Sequence, residues 1–464
     1  MNATKRVLAV MTVVGLLALA GCGRSGKSAS SDSGGNTQAS GSGSFGSMKD
    51  VCGKGKGTNT ASDRGVTANS IDLGVISDAG FTGTPGLNQE LWDASDVFVK
   101  WCNAQGGIYG RQLKDNHLDA ALTQYKQQVL VACQSDFSLV GGGGVFDDTG
   151  QEARLGCLMP NFPGFLTSGK ARGSALQWQA LPSPNDQLNI GLEKWLTAKF
   201  PASINSVGYL TANVPTTIVT VNQLREAGKS LGWKETVNQQ YAALGEATWI
   251  PVATKLKSAG VTGVVFVGEP TVLAKLEAAM AAIDYKPAWI FASGNTYDKA
   301  FIAAVGSQVV NTYVPINNYP FEQAIKKVAG SEAMQQYLAL FQQYLPNGKA
   351  QTLLGVDAFA AWLLFAQGAN VCGNNLTRKC MYNAMQKVTT FNGGGITAPA
   401  NPASQQTTPC YGVVQATPTG FVLQDVQPNS GVFNCDKGNV LTLTGDYGHG
   451  VSLADVGKTL TQLP

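Results

Sequence analysis

The segment IDLGVI (71–76) and the residues that follow it decide the fold. Its apolar and β-branched side chains predict a buried strand. Residues 88–103 then place apolar side chains at helical spacing, and Gly106-Gly107 ends that helix. Residues 113–119 again have the pattern of a strand. A strand, a helix and a second strand in this order predict a βαβ unit with parallel strands.

The same alternation continues along the chain and then starts again. Further strands are predicted at residues 137–141, 206–210, 261–267 and 289–292, and further helices at residues 123–133, 149–155, 216–231, 249–259 and 271–283. Two α/β sets in series indicate two lobes of similar kind. A helical block follows at 332–344 and 357–369, and the chain from 392 to 464 is rich in Gly, Thr, Asn and Pro, which predicts short β pieces and loops.

The first 64 residues have a different character. Lys5 and Arg6 precede an apolar run, 7–20, which predicts a secretory signal peptide. Its end, LAGC (19–22), resembles a lipobox, the motif at which a bacterial signal peptide is cleaved and the new N-terminal Cys22 is lipidated. A membrane span is the alternative, but about 14 residues fall short of the roughly 20 that a span needs. Residues 23–64 are rich in Gly, Ser, Lys and Asn, which predicts a flexible linker.

The net charge of +3 is unevenly distributed. Residues 1–64 carry eight Lys or Arg and three Asp, a net +5, which leaves −2 for residues 65–464. The globular part is therefore near neutral and has no basic stripe, so nucleic acid is not an expected partner. Basic residues beside a lipidated cysteine are typical of a second, electrostatic attraction to a membrane surface.

Nine cysteines are present. If Cys22 is lipidated, eight remain, and an even number in an exported protein predicts four disulfides. No C-x-x-C pair and only two histidines occur, so we expect no metal site. Eight cysteines allow 105 pairings, and the residues alone do not choose among them. The eight are Cys52, Cys102, Cys133, Cys157, Cys372, Cys380, Cys410 and Cys435.

A longer motif carries a family resemblance. NAQGGIYGRQL (103–113) resembles the first lobe of the leucine/isoleucine/valine-type solute-binding proteins of ABC transporters. FSLVGG (137–142), CLMP (157–160) and VVFVG (264–268) are similar to later stretches of that family. The resemblance runs from about Val66 to Val422 and is most specific in the first lobe.

The resemblance implies the α/β type 1 periplasmic-binding-protein fold, in which two doubly wound parallel-sheet lobes are joined by three hinge crossings. We place the crossings near 181–187, 314–319 and 393–399, where Pro, Gly and Asn are frequent. The implied division is a signal peptide (1–21), a lipidated cysteine and linker (22–64), lobe I (65–185 and 318–395), lobe II (186–317 and 396–440) and a tail (441–464).

The implied topology also favours one set of disulfides. In such a lobe the helices after the first two strands lie on opposite faces of the sheet, which separates Cys102 from Cys133. The helices after the second and third strands share a face, which favours Cys133–Cys157. The simplest remaining pairs are Cys52–Cys102, Cys372–Cys380 and Cys410–Cys435.

A ligand of such a fold is expected at the carboxyl ends of the strands, where the two lobes face each other. The candidate ligand-binding residues are Phe81, Thr82, Phe146, Asp147, Asp148 and Phe165 in lobe I, and Asn213, Glu269, Ser293 and Asn295 in lobe II. Each has a structural alternative, since polar residues at strand ends commonly cap helices and the phenylalanines have the character of core residues.

The family's amino-acid-binding members hold their ligand with small hydroxyl residues on the turns after the third and fourth strands. Here those turns carry Phe146-Asp147-Asp148 and Gly164-Phe165-Leu166. Adjacent carboxylates oppose a ligand carboxylate in a closed site of low dielectric constant. The sequence therefore favours a neutral or cationic small molecule with an apolar or aromatic part.

The combined expectation is a monomeric, exported receptor, anchored by lipid to the outer face of the cell membrane, that delivers its solute to an ABC permease by hinge closure and uses no cofactor. A ligand sensor for a signalling partner is an alternative that sequence does not separate from transport. An exported hydrolase is disfavoured, because neither His117 nor His449 lies in a nucleophile motif and Asp147 and Asp148 point in different directions.

Overall fold

The computed structural model describes residues 43–464. The signal peptide and Cys22 lie outside the described residues. Within them, two lobes are built on two separate sheets, which confirms the two-lobed α/β fold expected from the sequence. A small two-stranded sheet is also present.

Lobe I is built on a four-stranded parallel sheet in the order β2-β1-β3-β4. Its first elements match the predicted βαβ unit, with Ser70 of β1 opposite Gln112 of β2. Strand order reverses at β1, so the helices after β1 and β2 lie on opposite faces of the sheet. The elements are β1 (Ser70–Ser77), α1 (Gln89–Ala104), β2 (Gln112–Asp119), α2 (Tyr125–Ser135), β3 (Ser138–Val140), α3 (Gln151–Gly156) and β4 (Asn161–Phe162).

Lobe II is built on a seven-stranded sheet in the order β12-β11-β10-β9-β8-β6-β7. The strands from β6 to β10 are parallel, whereas β11 (Gly412–Thr417) and β12 (Gly420–Leu423) join antiparallel at one edge. The elements up to β10 are β5 (Gln187–Asn189), α4 (Gly191–Lys199), β6 (Val207–Ala212), α5 (Pro215–Ser230), β7 (Glu235–Tyr241), α6 (Ile250–Ser258), β8 (Gly263–Val267), α7 (Pro270–Ala282), β9 (Trp289–Ala292), α8 (Lys299–Val305) and β10 (Thr312–Ile316).

After β10 the chain returns to lobe I and then crosses back. The long helix α11 (Leu353–Cys372) packs against α1, β3 and β4, and all of its residues from 358 to 366 are buried. It is long and apolar enough to span a membrane, but here it forms the centre of the lobe I core. The remaining elements are α9 (Phe321–Ile325), α10 (Glu332–Tyr344), α11 (Leu353–Cys372), α12 (Arg378–Met385), β11 (Gly412–Thr417), β12 (Gly420–Leu423) and β13 (Val440–Thr442).

Two of the three passages between the sheets run side by side. Asn318 forms an antiparallel bridge with Thr397, and the Tyr319 N–H donates to the Ile396 carbonyl at 2.8 Å. These residues lie in the second and third predicted crossings. Bending at these segments remains a prediction.

Residues 43–464 contain four disulfides, and they are the four pairs expected under the implied topology. They join Cys52 to Cys102, Cys133 to Cys157, Cys372 to Cys380, and Cys410 to Cys435. Three of them lie in lobe I and its N-terminal segment, and the fourth ties the start of β11 to the loop after β12.

The segment 43–64 corrects one expectation, because this part of the predicted linker is packed against lobe I. Phe45 is completely buried, with its ring 5.0 Å from that of Phe359, and Cys52 is bonded to α1. The polar composition was misleading because a few anchors suffice: Phe45, Val51 and a disulfide hold a backbone that is otherwise rich in glycine.

The C-terminal tail contacts both lobes. Strand β13 pairs with β5, and Glu226 on α5 of lobe II accepts hydrogen bonds from Thr444, Gly445 and Tyr447. The last residues then reach lobe I, where they form a small apolar cluster. That cluster contains Val451, Leu453 and Leu463 of the tail with Leu155, Leu158 and Leu176 of lobe I.

Candidate functional site

A cavity of about 450 Å³ lies between the two lobes. We call it the interlobe cleft. Lobe I contributes the loop before α1, the loop after β4 and the start of α11, while lobe II contributes the first turns of α5 and α7 and the loops after β8 and β9. Its apolar wall includes Leu87, Val145, Phe165, Leu166, Val267, Phe301, Leu353 and Leu354.

The loops that follow β8 and β9 show why polar groups gather here. Parallel strands end at the same edge of a sheet, so the residues after them face the same space. Glu269 follows β8, while Ser293 and Asn295 follow β9, and all three line the interlobe cleft. Asn295 also braces these loops, because its side-chain amide donates to the Gly268 carbonyl at 3.2 Å.

Of the ten predicted ligand-binding residues, four line the interlobe cleft: Phe165, Glu269, Ser293 and Asn295. The other six lie outside its lining: Phe81, Thr82, Phe146, Asp147, Asp148 and Asn213.

Asp147 shows why a strand-end carboxylate need not reach the ligand. It lies in a short 3₁₀ helix, Asp147–Gly150, and is fully buried. Its carboxylate accepts hydrogen bonds from the Thr167 N–H at 2.8 Å, the Thr167 hydroxyl at 2.9 Å and the Ser168 N–H at 3.0 Å. Burial raises its pKa to about 6, although these hydrogen bonds oppose the shift. Asp147 therefore holds the loop after β4, which carries Phe165 into the cleft.

A lysine from lobe I lies at the same cavity. Lys349, in the loop before α11, places its Nζ 3.2 Å from the Glu90 carboxylate and donates to the Gly86 carbonyl at 2.9 Å. Its backbone N–H donates to Asp93 at 2.8 Å. Lys349 thus fastens the start of α1 to the start of α11, and its charge is already paired with Glu90.

Two carboxylates in the cleft lack such partners. The Asp357 Oδ1 atom on α11 is buried and makes no hydrogen bond within residues 43–464. Burial raises the pKa of Asp357 to about 8. Glu269 directly precedes α7, and desolvation by the surrounding protein raises its pKa to about 7, although its side chain remains accessible from the cleft. Glu90 and Asp298 reinforce that shift, and Lys349 opposes it.

The remaining charged groups of the lining have structural partners. Asp298 caps α8 by accepting from the Ala300 N–H at 2.7 Å. Arg172 reaches from lobe I toward lobe II and donates to the Gln223 side chain at 3.4 Å, while its Nε atom makes no hydrogen bond to any described residue. Burial lowers the pKa of Arg172.

A separate cluster on lobe I has the composition of a metal site. The side chains of Asp96, Asp115 and His117 bring three ligand atoms within 4.8 Å of one another. Burial alone would lower the pKa of His117, but bonds to both carboxylates raise it to about 9. The protonated imidazole lies 3.0 Å from the Asp96 carboxylate and forms an ion pair with it.

Sequence reasoning missed Asp357, Glu90 and Lys349. Asp357 carried a signal, since it is the only charged residue in the apolar helix 353–372. The pairing of Glu90 with Lys349 joins residues 259 positions apart, and no local pattern indicates it.

Comparisons with known proteins agree with this architecture. The family model described as periplasmic binding protein matches residues 70–420. No curated protein sequence matches the chain significantly.

Among solved structures, a fatty acid ABC transporter substrate-binding protein from Thermomonospora curvata has a TM-score of 0.65 at 15% identity, covering 82% of this chain and 98% of that one. An ABC transporter substrate-binding protein from Aeropyrum pernix has a TM-score of 0.65 at 15% identity, covering 80% of this chain and 97% of that one. A leucine-binding protein from Thermotoga maritima has a TM-score of 0.62 at 12% identity, covering 76% of this chain and 97% of that one. At these identities the likeness shows the fold, while the family model spans most of the chain. The chain therefore belongs to the periplasmic binding protein family.

Proposed function

We propose that this protein is an exported receptor that captures a small organic molecule in the interlobe cleft and delivers it to an ABC importer. The observation that carries the proposal is the cleft itself, a cavity of about 450 Å³ lined from both lobes. A ligand that contacts both walls stabilises the closed arrangement over the open one, and the permease then recognises the closed form.

The apolar wall supports a solute with an apolar part. Phe165 and Leu166 from lobe I face the same cavity as Val267 and Phe301 from lobe II. Burying such surfaces against a ligand gives about 25 cal/mol per Å² of apolar area removed from water. The T. curvata protein is a fatty acid ABC transporter substrate-binding protein, and an acyl chain is one apolar body that this wall suits.

Cys22 supports the location. We propose that it is lipidated and holds the receptor at the outer face of the cell membrane as a monomer. Because residues 43–64 are packed on lobe I, only 20 residues separate Cys22 from the described body. At about 3.3–3.6 Å per residue they span at most about 70 Å, so the receptor stays close to a permease in the same membrane.

Mass spectrometry of small molecules released from the purified full chain tests the receptor proposal. We expect one organic compound at about one per chain. Ser293→Trp, which fills the cleft, should abolish its recovery, whereas Ser258→Trp, on the exposed end of α6, should not. Equal recovery from both variants would place the compound elsewhere and contradict the proposal.

A further inference from the structure

The charges that line the interlobe cleft are unbalanced. Four carboxylates face two cationic side chains, Lys349 and Arg172. The carboxylates are Glu90 and Asp357 from lobe I and Glu269 and Asp298 from lobe II. The lining therefore has a formal charge of −2 when all six groups are ionised.

The two cations do not neutralise the whole set. Lys349 is held by Glu90 and by the Gly86 carbonyl, and Arg172 is turned toward Gln223 across the lobe boundary. One oxygen of the Asp298 carboxylate already accepts the hydrogen bond that caps α8. Glu269 and Asp357 remain, and no described residue donates a hydrogen bond to either side chain.

These two carboxylates come from opposite walls. Asp357 is on α11, at the wall that lobe I forms, and Glu269 directly precedes α7, at the wall that lobe II forms. Glu269 is exposed to water in the cleft, but the buried Oδ1 atom of Asp357 has lost its water and has no hydrogen-bond donor in return, which is costly. The cost disappears when a ligand supplies a charged donor, since such hydrogen bonds are about twice as strong as neutral ones.

We propose that the solute carries a positively charged amine, bound to Asp357 of lobe I and attracted by the negative charge of Glu269 on lobe II, with its apolar body against Phe165 and Leu354. This inference rests on the proposed receptor function and adds the chemical class of the solute. An ammonium has three N–H donors, so it can satisfy the buried Oδ1 atom of Asp357, while Glu269 attracts the same positive charge from the opposite wall. A solute carboxylate would instead add a further negative charge to the site.

Matched alkyl compounds test the class of headgroup. Primary amines, alcohols and carboxylates with chains of 4 to 12 carbons are titrated into the full chain, stripped of bound solute, by calorimetry. We expect binding by amines of at least one chain length and none by the corresponding carboxylates. Binding of carboxylates or alcohols as strong as that of the amines, or binding by no compound in the series, would overturn the inference.

Three variants test the position of the amine. Asp357→Asn should weaken amine binding about ten- to a hundred-fold, and Glu269→Gln, which removes an exposed charge, should weaken it by a smaller factor. Asp284→Asn removes an exposed carboxylate just beyond the other end of α7 and should leave it unchanged. Amine binding that survives both cleft substitutions would refute the inference. Recovery of a solute without an amine from the native protein would also refute the inference, but it would leave the receptor proposal intact. If no solute whose recovery depends on the cleft is found, the receptor proposal itself is refuted.

Discussion

Asp357→Asn should make the ligand-free protein more stable. The substitution keeps the shape of the side chain and removes a carboxylate whose Oδ1 atom is buried without a partner among the described residues. Its pKa is raised from 3.8 to about 8 by burial. A raised pKa of an acid means that the folded form binds the proton more tightly than the unfolded chain does. Asp357 therefore does not reduce the free energy of unfolding below about pH 4. The free energy of unfolding then declines as the pH rises toward 8.

The magnitude follows from that shift. At pH 7 the difference between the folded and unfolded pKa values of Asp357 lowers the free energy of unfolding by about 4 kcal/mol. The side chain keeps partial contact with water in the cleft, so we expect about half of this, about 2 kcal/mol, to be recovered by Asp357→Asn. For a folded body of this size, that raises the melting temperature by about 2–3 °C.

Calorimetric melting of the stripped protein between pH 4 and pH 8 measures both quantities. The variant should melt higher than the parent at pH 7 and 8, and the gap should close near pH 4. Asp284→Asn, in an exposed position, should follow the parent at every pH. A variant that melts lower at pH 7, or that keeps the pH dependence of the parent, would refute the reasoning. Higher stability with weaker amine binding would show that the carboxylate is kept for function at a cost in stability.

Three further predictions concern the parts attached to the lobes. Replacing Cys52 and Cys102 by Ser should cost about 4 kcal/mol of unfolding free energy, as expected for a closed loop with a sequence separation of 50, measured by urea unfolding. Phe45→Ala should cost about 3–5 kcal/mol by the same assay, because the ring is wholly buried; a loss below about 1 kcal/mol would mean that segment 43–64 is loosely held. Partial burial would raise the pKa of Glu226, but hydrogen bonds from the tail lower it to about 2. Protonation of Glu226 at low pH therefore weakens the attachment of the tail. Protease cleavage of the tail should accelerate as the pH falls from about 4.5 toward 2. Glu226→Gln should show faster cleavage already at pH 7, and equal rates would contradict the role of this carboxylate.

The two-lobed fold was predictable because its signals are local. Buried strands such as 71–76 and 261–267 have apolar runs of the right length, and residues 103–113 carry a family motif. The Cys133–Cys157 pair followed from the topology that the motif implies, and the other three are the simplest pairs that then remain. In contrast, segment 43–64 has the composition of a linker, and its attachment depends on Phe45 and Cys52 meeting partners far along the chain.

The cleft was predictable only in part. The rule that ligands meet strand ends correctly located Glu269 and Asn295, because their position depends on the sheet alone. It did not locate Asp357, which enters the cleft from a helix contributed by a return crossing. The same rule could not show that the Asp147 carboxylate points away from the cleft. Its direction depends on the 3₁₀ turn and on hydrogen bonds from the loop at residues 167–168. Direction and tertiary pairing of side chains are set by contacts that a single sequence does not display.

Small-angle X-ray scattering of the full chain tests the central proposal most directly. The solute recovered from the purified protein is removed, scattering is measured, and the solute is returned at saturating concentration. We predict that the radius of gyration falls when the solute is returned, because the lobes close around it, and that Ser293→Trp shows no such change. A solute that binds in the interlobe cleft without changing the scattering would contradict capture by closure of the two lobes.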